Sequence, residues 1–378
     1  MSKRQIYRPR PISGFPEWLP EQRLVEQQWM DHIRGVFESY GFCSIETPSV
    51  EELDVLLAKG EVDKEIYAIQ RLQAEAADKS ESRLALHFDV TVPFARYAAQ
   101  HFNDLDFPFK RYQMQRVWRG ERPQDGRFRE FYQCDIDVIN VDNLPLHFDA
   151  EIPAVAMQCI TGLNIGPVRL HVSNRKILDG YLAGLGIDDR VPVIRILDRF
   201  DKIGSDGVMK ALNDELGMDQ ELASKCLALA SIQTSDASFA GQVRDLGVEH
   251  ETLATGLDEL SFVIEHLNRE LPDADILADL SIARGFDYYT GTVYEGRFIE
   301  HPGFGSIIAG GRYDDLAGSY INRKLPGVGI SIGLTRIFGK MVSEGTLPVG
   351  RKTPTEILVV LPSEERRAAV AKTASHLR

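Results

Sequence analysis

The chain has 378 residues, with 43 Lys plus Arg against 56 Asp plus Glu and a formal net charge of −13, which argues against a generally basic nucleic-acid coat protein and leaves room only for a local basic site. Its 43% hydrophobic and 26% charged residues are those of a globular protein with a large core, and its length suggests two or three domains. No apolar run reaches the roughly 18 residues of a membrane span, no signal-peptide core is visible, and the four scattered cysteines fit neither a zinc ribbon nor a disulfide framework, so a cytoplasmic, membrane-free address is expected.

From Glu21 to Tyr40 the apolar residues Val25, Trp29, Ile33, Val36, Phe37 and Tyr40 recur every three or four positions. That spacing predicts an amphipathic helix, with Gly41 placed to stop it. Cys43 to Glu46 reads as a short strand ending against Pro48. Leu84, Leu86 and Phe88 alternate with Ala85 and His87, the period of a half-buried strand. Phe109–Trp118 and Phe131–Ile139 predict two antiparallel strands joined by a long loop rich in Arg, Pro and Gly. Val168–Ser173, Leu277–Leu280, Val293–Arg297, Ser306–Ala309 and Gly329–Ile332 are further strand candidates. Their irregular helical connections favour an α+β fold on an antiparallel sheet. Between Asp189 and Leu271 the texture turns helical, as in Leu257, Leu260, Ile264 and Leu267, and reads as an insertion. After Gly350 a Lys-Thr-Pro linker leads into Glu356–Leu361, a buried-strand run, and Glu364–Leu377, its following helix. The chain stops there, one strand and one helix into a further domain.

Phosphate and metal motifs narrow the chemistry by their absence. There is no G-x-x-x-x-G-K-[ST] and no H-E-x-x-H, and Gly310-Gly311 and Gly327-Val328-Gly329 do not fit G-x-G-x-x-G. Taken alone, these glycines read as tight turns or close strand approaches. The informative stretch runs from Lys110 to Glu130, seven basic residues against three acids. Arg119 and then Gln133, Asp135 and Asp137 lie on or beside strands, where alternation turns one face toward a sheet surface. Charged groups there need partners, and a polyanion plus a small zwitterion would supply them.

Arg119-Gly120-Glu121-Arg122-Pro123 followed by Gly126-Arg127-Phe128-Arg129-Glu130-Phe131-Tyr132-Gln133 closely resembles motif 2 of class II histidyl-tRNA synthetases. Gly41-Phe42 through Thr47-Pro48 resembles motif 1, and Leu86 through Pro93 the family's acidic substrate loop. Ala283-Arg284-Gly285-Phe286-Asp287-Tyr288-Tyr289-Thr290-Gly291 and Ala309-Gly310-Gly311-Arg312-Tyr313-Asp314 resemble the two histidine-specific motifs, and Gly327 through Arg336 resembles motif 3. The resemblance runs from about Gly14 to Leu361.

It implies a class II antiparallel-sheet catalytic domain in two parts, 1–188 and 272–345, with the helical insertion at 189–271 and the start of an α/β anticodon-binding domain at 355–378. The implied reaction joins histidine and ATP into histidyl-adenylate, then moves the histidyl group to the 3′ end of tRNA(His). By resemblance Arg119 and Arg284 are catalytic, gripping the α-phosphate from opposite sides. Asp89, Val90, Thr91, Gln133, Asp137, Tyr288, Tyr289 and Tyr313 join those arginines in binding histidine. Only one of two adjacent strand residues can face a pocket, so Tyr289 is preferred to Tyr288. Arg119, Glu121, Arg127, Phe131 and Arg336 would bind ATP with Mg²⁺, and no protein-bound metal site is implied. Arg122, Gln124 and Arg129 would reach the tRNA acceptor end. A homodimer through motif 1 is implied, while His87, His147 and His171 fall in no family site. The competing class is a catalytically dead relative, a regulatory subunit of ATP phosphoribosyltransferase; the complete arginine set argues for the enzyme.

Overall fold

The computed structural model describes residues 8–57, 66–71, 83–283 and 288–378. Helix α1 (Pro20–Ser39) leads through Gly41, at φ +79°, into β1 (Cys43–Ser44). β2 (Val50–Glu52), α2 (Leu53–Leu57), β3 (Ala68–Ile69) and β4 (Leu84–Leu86) follow, and the three strands form a small antiparallel sheet ordered β2-β4-β3. After α3 (Thr91–Gln100) comes the long pair β5 (Phe109–Trp118) and β6 (Glu130–Ile139). Then come α4 (Phe148–Gly162), β7 (Val168–Asn174) and α5 (Arg175–Gly184). α6 (Arg190–Leu197), α7 (Phe200–Leu216) and α8 (Gln220–Ala230) precede the two-residue β8 (Gln233–Thr234). α9 (Phe239–Asp245), α10 (Glu251–Glu270), β9 (Asp275–Asp279) and β10 (Thr292–Phe298) continue the chain. β11 (Ile308–Tyr313), β12 (Gly327–Ile332), α11 (Leu334–Ser343) and α12 (Arg367–Leu377) complete it.

Nine strands make the main sheet, in the order β1-β5-β6-β12-β11-β10-β7-β9-β8. β1 pairs with β5 and β7 with β9 in parallel, and the remaining neighbours are antiparallel. The sheet is therefore mixed, not purely antiparallel. Each parallel pair is separated in sequence by helices, the crossover that parallel strands require. β11 begins at Ile308 and runs to Tyr313, later and longer than the Ser306–Ala309 reading, so Gly310-Gly311 lies inside a strand. Of the two readings of these glycines it is the close strand approach that holds, since a Cβ at Gly310 would overlap the Gly329 carbonyl.

The side-chain period of two divides the sheet into a core face and a site face. Cys134, Ile136 and Val138 of β6 share the core face with Val328, Ile330 and Ile332 of β12, register partners in that sheet. Helix α4 covers this face, and Val25, Trp29, Ile33 and Phe37 of α1 join the same core. Fully burying one such aliphatic side chain stabilises the fold by about 1.5–3 kcal/mol. Leu253, Leu257, Leu260, Ile264 and Leu267 of α10 enter this core too. The helical segment is thus built into the body of the fold and contributes β8 to one sheet edge.

Two expectations are corrected. In β4 the small Ala85 is buried and Leu84 is exposed, because Ala85 packs with Leu56 and Val92 under α2 and α3. Glu356–Leu361 forms no strand: Leu358 is 82% exposed and Val360 71%, and no other described strand pairs with the run. No helix among the described residues is long and apolar enough to cross a membrane.

Candidate active site

The opposite face of the same strands is polar. Arg111, Gln113 and Gln115 of β5 sit directly across from Asp137, Asp135 and Gln133 of β6. Gly329 and Ser331 of β12 extend two of these rows, opposite Asp137 and Asp135, and Gly311 and Ala309 of β11 come next. Buried Gln113 donates to Thr47 Oγ1 at 3.0 Å and Gln115 to the Thr47 carbonyl at 2.8 Å, which ties the segment before Pro48 to the polar face.

Two adjoining cavities open on this face. The outer one, about 330 Å³, is lined by Arg119, Glu121, Arg127, Phe131, Gln133 and Arg336 among others. All five residues read as ATP ligands are therefore brought together. Arg119 donates from Nε to the Phe88 carbonyl at 3.0 Å and lies 5.1 Å from the Phe131 ring centroid, so its guanidinium is aimed before any ligand arrives. Arg127 pairs with Glu121 at 3.2 Å, and Arg336 lies 4.9 Å from the Phe304 ring centroid while donating to the Phe304 carbonyl.

The inner cavity, about 40 Å³, is lined by Thr91, Asp135, Asp137, Tyr288, Tyr289 and Tyr313, and shares Ala309 and Ser331 with the outer one. Glycines make room for its walls. A Cβ at Gly329 would overlap the Asp137 carboxylate, and one at Gly311 would come within 2.7 Å of the Tyr289 ring. Tyr313 donates to Asp137 Oδ1 at 3.0 Å, and Arg111, fully buried, pairs with Asp137 Oδ2 at 2.5 Å. Burial and neighbouring carboxylates hold all three tyrosine hydroxyls above their usual pKa, so they act as neutral donors and acceptors. Burial, with repulsion from Asp137 and Asp89, also lifts the Asp135 carboxyl to about 7, against the opposing pull of Arg111 and Ser331.

The remaining sequence-read residues divide. Asp89 is buried and accepts from the Val92 amide at 3.1 Å, close enough to act electrostatically on Asp135. Val90 is buried at the start of α3 and lines neither cavity. Tyr288 and Tyr289 both line the inner cavity, because they lie in irregular chain where strand alternation does not apply. Arg122 and Gln124 are exposed on the β5–β6 loop, whereas Arg129 donates to the Glu121 carbonyl at 3.1 Å and braces that loop. Arg284 lies outside the described residues.

Sequence reading gave Arg111 no role and placed Asp135 on the polar strand face without a role in the site; the β5–β6 register sets Arg111 opposite Asp137 and Asp135 opposite Gln113. It also left Arg312 unassigned. That side chain turns to the core face and grips Asp149 of α4, whose carboxylate further accepts from Thr292 at 2.6 Å. Tyr313, one residue on, faces the pocket.

A family profile described as histidyl-tRNA synthetase matches residues 14–337. The histidine–tRNA ligase of Thermobifida fusca is 62% identical over 378 residues, covering 100% of this chain and 86% of that protein. That of Micrococcus luteus is 49% identical over 377 residues, 97% of this chain and 82% of that protein. Among solved structures, histidyl-tRNA synthetase from Nostoc sp. PCC 7120 superposes with a TM-score of 0.88 at 41% identity, over 99% of this chain and 84% of that one. An ATP phosphoribosyltransferase regulatory subunit/histidyl-tRNA synthetase from Bacillus halodurans C gives 0.82 at 20% identity, over 99% and 91%, a likeness of fold alone.

Proposed function

Because the chain belongs to the histidyl-tRNA synthetase family, an ATP-consuming histidine–tRNA ligase, we propose that the inner cavity holds histidine and the outer one ATP, so that adenylate forms where they meet. The observation that carries this division is the continuity of the cavities through Ala309 and Ser331, with arginines on the outer side and tyrosines and carboxylates on the inner. The rival regulatory reading is not favoured: the high-identity relatives are ligases, and the regulatory-type neighbour shares the fold at only 20% identity.

The first step is in-line attack by the histidine carboxylate on the α-phosphorus, with pyrophosphate leaving. That carboxylate is ionised at neutral pH, so no protein base is needed. The site must align two anions and neutralise charge on the phosphate oxygens. Arg119, held by the Phe88 carbonyl and the Phe131 ring, would grip the α-phosphate, and Arg284 would reach it from the other side. Phe131 offers a stacking face for adenine, with Arg336 against base and outer phosphates and Arg127 at the pyrophosphate end. Thr91 and Gln133 would take the amino-acid end, and Asp137 with the tyrosines the ring.

Mg²⁺ would be carried mainly by the ATP phosphates, its usual arrangement in nucleotide sites, where it neutralises phosphate charge. Glu121 is the one carboxylate lining the outer cavity among the described residues, which fits a minor protein share. Arg122 and Gln124 would meet the acceptor end of tRNA(His). Homodimerisation through motif 1 belongs to the same proposal. The apolar stripe of α1 is spent on the chain's own core, so a partner would meet its polar face and the β1 edge.

The test is ATP–pyrophosphate exchange with each standard amino acid in turn. Histidine alone should support it, and Arg119→Ala or Arg284→Ala should cut the rate by about 10²-fold or more. Arginine variants that retain wild-type exchange would refute the proposed roles.

A further inference from the structure

We propose that Asp135 is a specificity residue of the inner cavity, its unpartnered carboxylate oxygen seating the substrate's α-ammonium beside Gln133 and Asp89; this rests on reading that cavity as the histidine site.

Asp135 is 4% exposed and lines the inner cavity. It sits on β6 midway between Gln133 and Asp137, on the same face by the period of two. Its register neighbour Ser331 accepts from Gln133 Nε2 at 3.2 Å, which leaves the serine hydroxyl free to donate to Asp135. The other carboxylate oxygen, Oδ1, is enclosed and has no hydrogen-bond partner, and the same is true of Gln133 Oε1. Two buried acceptors on one strand face therefore lack donors.

An enclosed, unpaired carboxylate oxygen is costly, so the ligand that fits must bring N–H groups and a positive charge. An ammonium brings three donors and a full charge. Its place follows from covalent order. In an α-amino acid the ammonium sits on the carbon between the carboxylate and the side chain. Asp135 lies between the Arg119 and Gln133 end, where the carboxylate would be activated, and the Asp137, Tyr289 and Tyr313 end, where the ring would be recognised.

Charge bookkeeping agrees. Asp135 faces Arg111 from β5, Asp137 on its own strand, Asp89 before α3, and the Tyr289 hydroxyl. Asp137 already has Arg111 at 2.5 Å, which leaves the Asp135 carboxylate the less compensated of the two acids on this strand face. Burial, reinforced by repulsion from Asp137 and Asp89, raises the Asp135 carboxyl to about 7, and an arriving ammonium would relieve it.

The experiment titrates wild type and Asp135→Asn calorimetrically with three ligands. They are histidine, its amino alcohol (carboxylate replaced by CH₂OH), and its deamino acid (ring and carboxylate kept, ammonium absent). Asp135→Asn should weaken the first two by roughly tenfold to hundredfold, the range of one charge-assisted hydrogen bond, and leave the deamino acid within about twofold. The variant-to-wild-type ratio for histidine should shrink as pH falls from about 8 to about 6, since protonated wild-type Asp135 then resembles the amide. Equal loss for all three ligands, or no loss for histidine, overturns the assignment. Should Asp135→Asn fail to fold, wild type decides alone: near pH 7 the amino alcohol must release more protons on binding than the deamino acid, since the imidazole they share contributes to both. Equal proton release by both overturns it. Wild type binding none of the three would instead overturn the histidine pocket itself.

Discussion

Arg111 and Asp137 face each other in register across β5 and β6, with Arg111 fully buried and its guanidinium 2.5 Å from the carboxylate. Tyr313 donates to the other carboxylate oxygen at 3.0 Å, and the guanidinium lies 4.3 Å from the Phe94 ring centroid. The acid nearest the glycine-lined end of the pocket is therefore neutralised before substrate enters. Toward the imidazole N–H proposed to bind there it would serve as an oriented acceptor, not as a net charge.

Asp137→Asn should therefore lose stability as well as histidine affinity. Removing one partner leaves Arg111 charged and buried, which costs about 3–5 kcal/mol. Urea unfolding gives the first quantity and calorimetric titration the second. An unfolding free energy within about 0.5 kcal/mol of wild type would show that Arg111 does not depend on this carboxylate.

Gly329→Ala tests the same corner by filling it. The added methyl would overlap the Asp137 carboxylate and crowd the Ile136 carbonyl at 2.9 Å, so the acid must swing into the space left for the ring. Histidine affinity should fall at least tenfold, while ATP, proposed to bind in the outer cavity, should lose much less. ATP affinity falling as far as histidine affinity would mean that the two cavities are not separable in this way.

Much of this arrangement was legible in the chain, and the failures have physical causes. The β5–β6 pair was visible because two β-like stretches, Phe109–Trp118 and Phe131–Ile139, flank a basic loop, and the outer cavity collects every residue read for ATP. Periodicity cannot say which polar residues meet across a sheet, so Arg111 and Asp135 gained roles only with the register. The adjacent Tyr288 and Tyr289 were set against each other by assuming a strand that does not form. Glu356–Leu361 has strand composition, but composition names no pairing partner, and the run lies exposed.

Asp135 carries a pH signature of its own. Its carboxyl lies at about 7 in the folded protein, against about 4 in an unfolded chain. The folded state therefore holds a proton that the unfolded state has lost between those values. The stability this contributes is present in full below about pH 4 and is lost as pH rises to about 7, at up to about 1.4 kcal/mol per pH unit. Wild type should lose stability relative to Asp135→Asn across that window in urea unfolding. Parallel pH profiles for the two proteins would show that Asp135 does not titrate there.

The β5–β6 loop gives the last prediction, because its two kinds of arginine should separate. Arg122 is exposed, while Arg129 is turned inward to the Glu121 carbonyl at 3.1 Å and its amide donates to the Gly14 carbonyl at 2.7 Å. A net charge of −13 opposes the approach of a polyanion, so each solvent-facing cation on this loop counts in the encounter with tRNA. Arg122→Ala should raise the KM for tRNA and make the salt dependence of that KM shallower by about one phosphate contact, about 0.7–0.9 in log–log slope. The mutation acts after adenylate formation, so the loss should appear in tRNA charging and not in pyrophosphate exchange. Arg129→Ala removes a brace beside Glu121, which pairs with Arg127 in the ATP cavity, and should depress exchange as well. Steady-state charging over a range of salt, with exchange measured on the same preparations, checks both. Identical profiles for the two variants would mean that Arg129 is not a brace, or that Arg122 does not face the acceptor end.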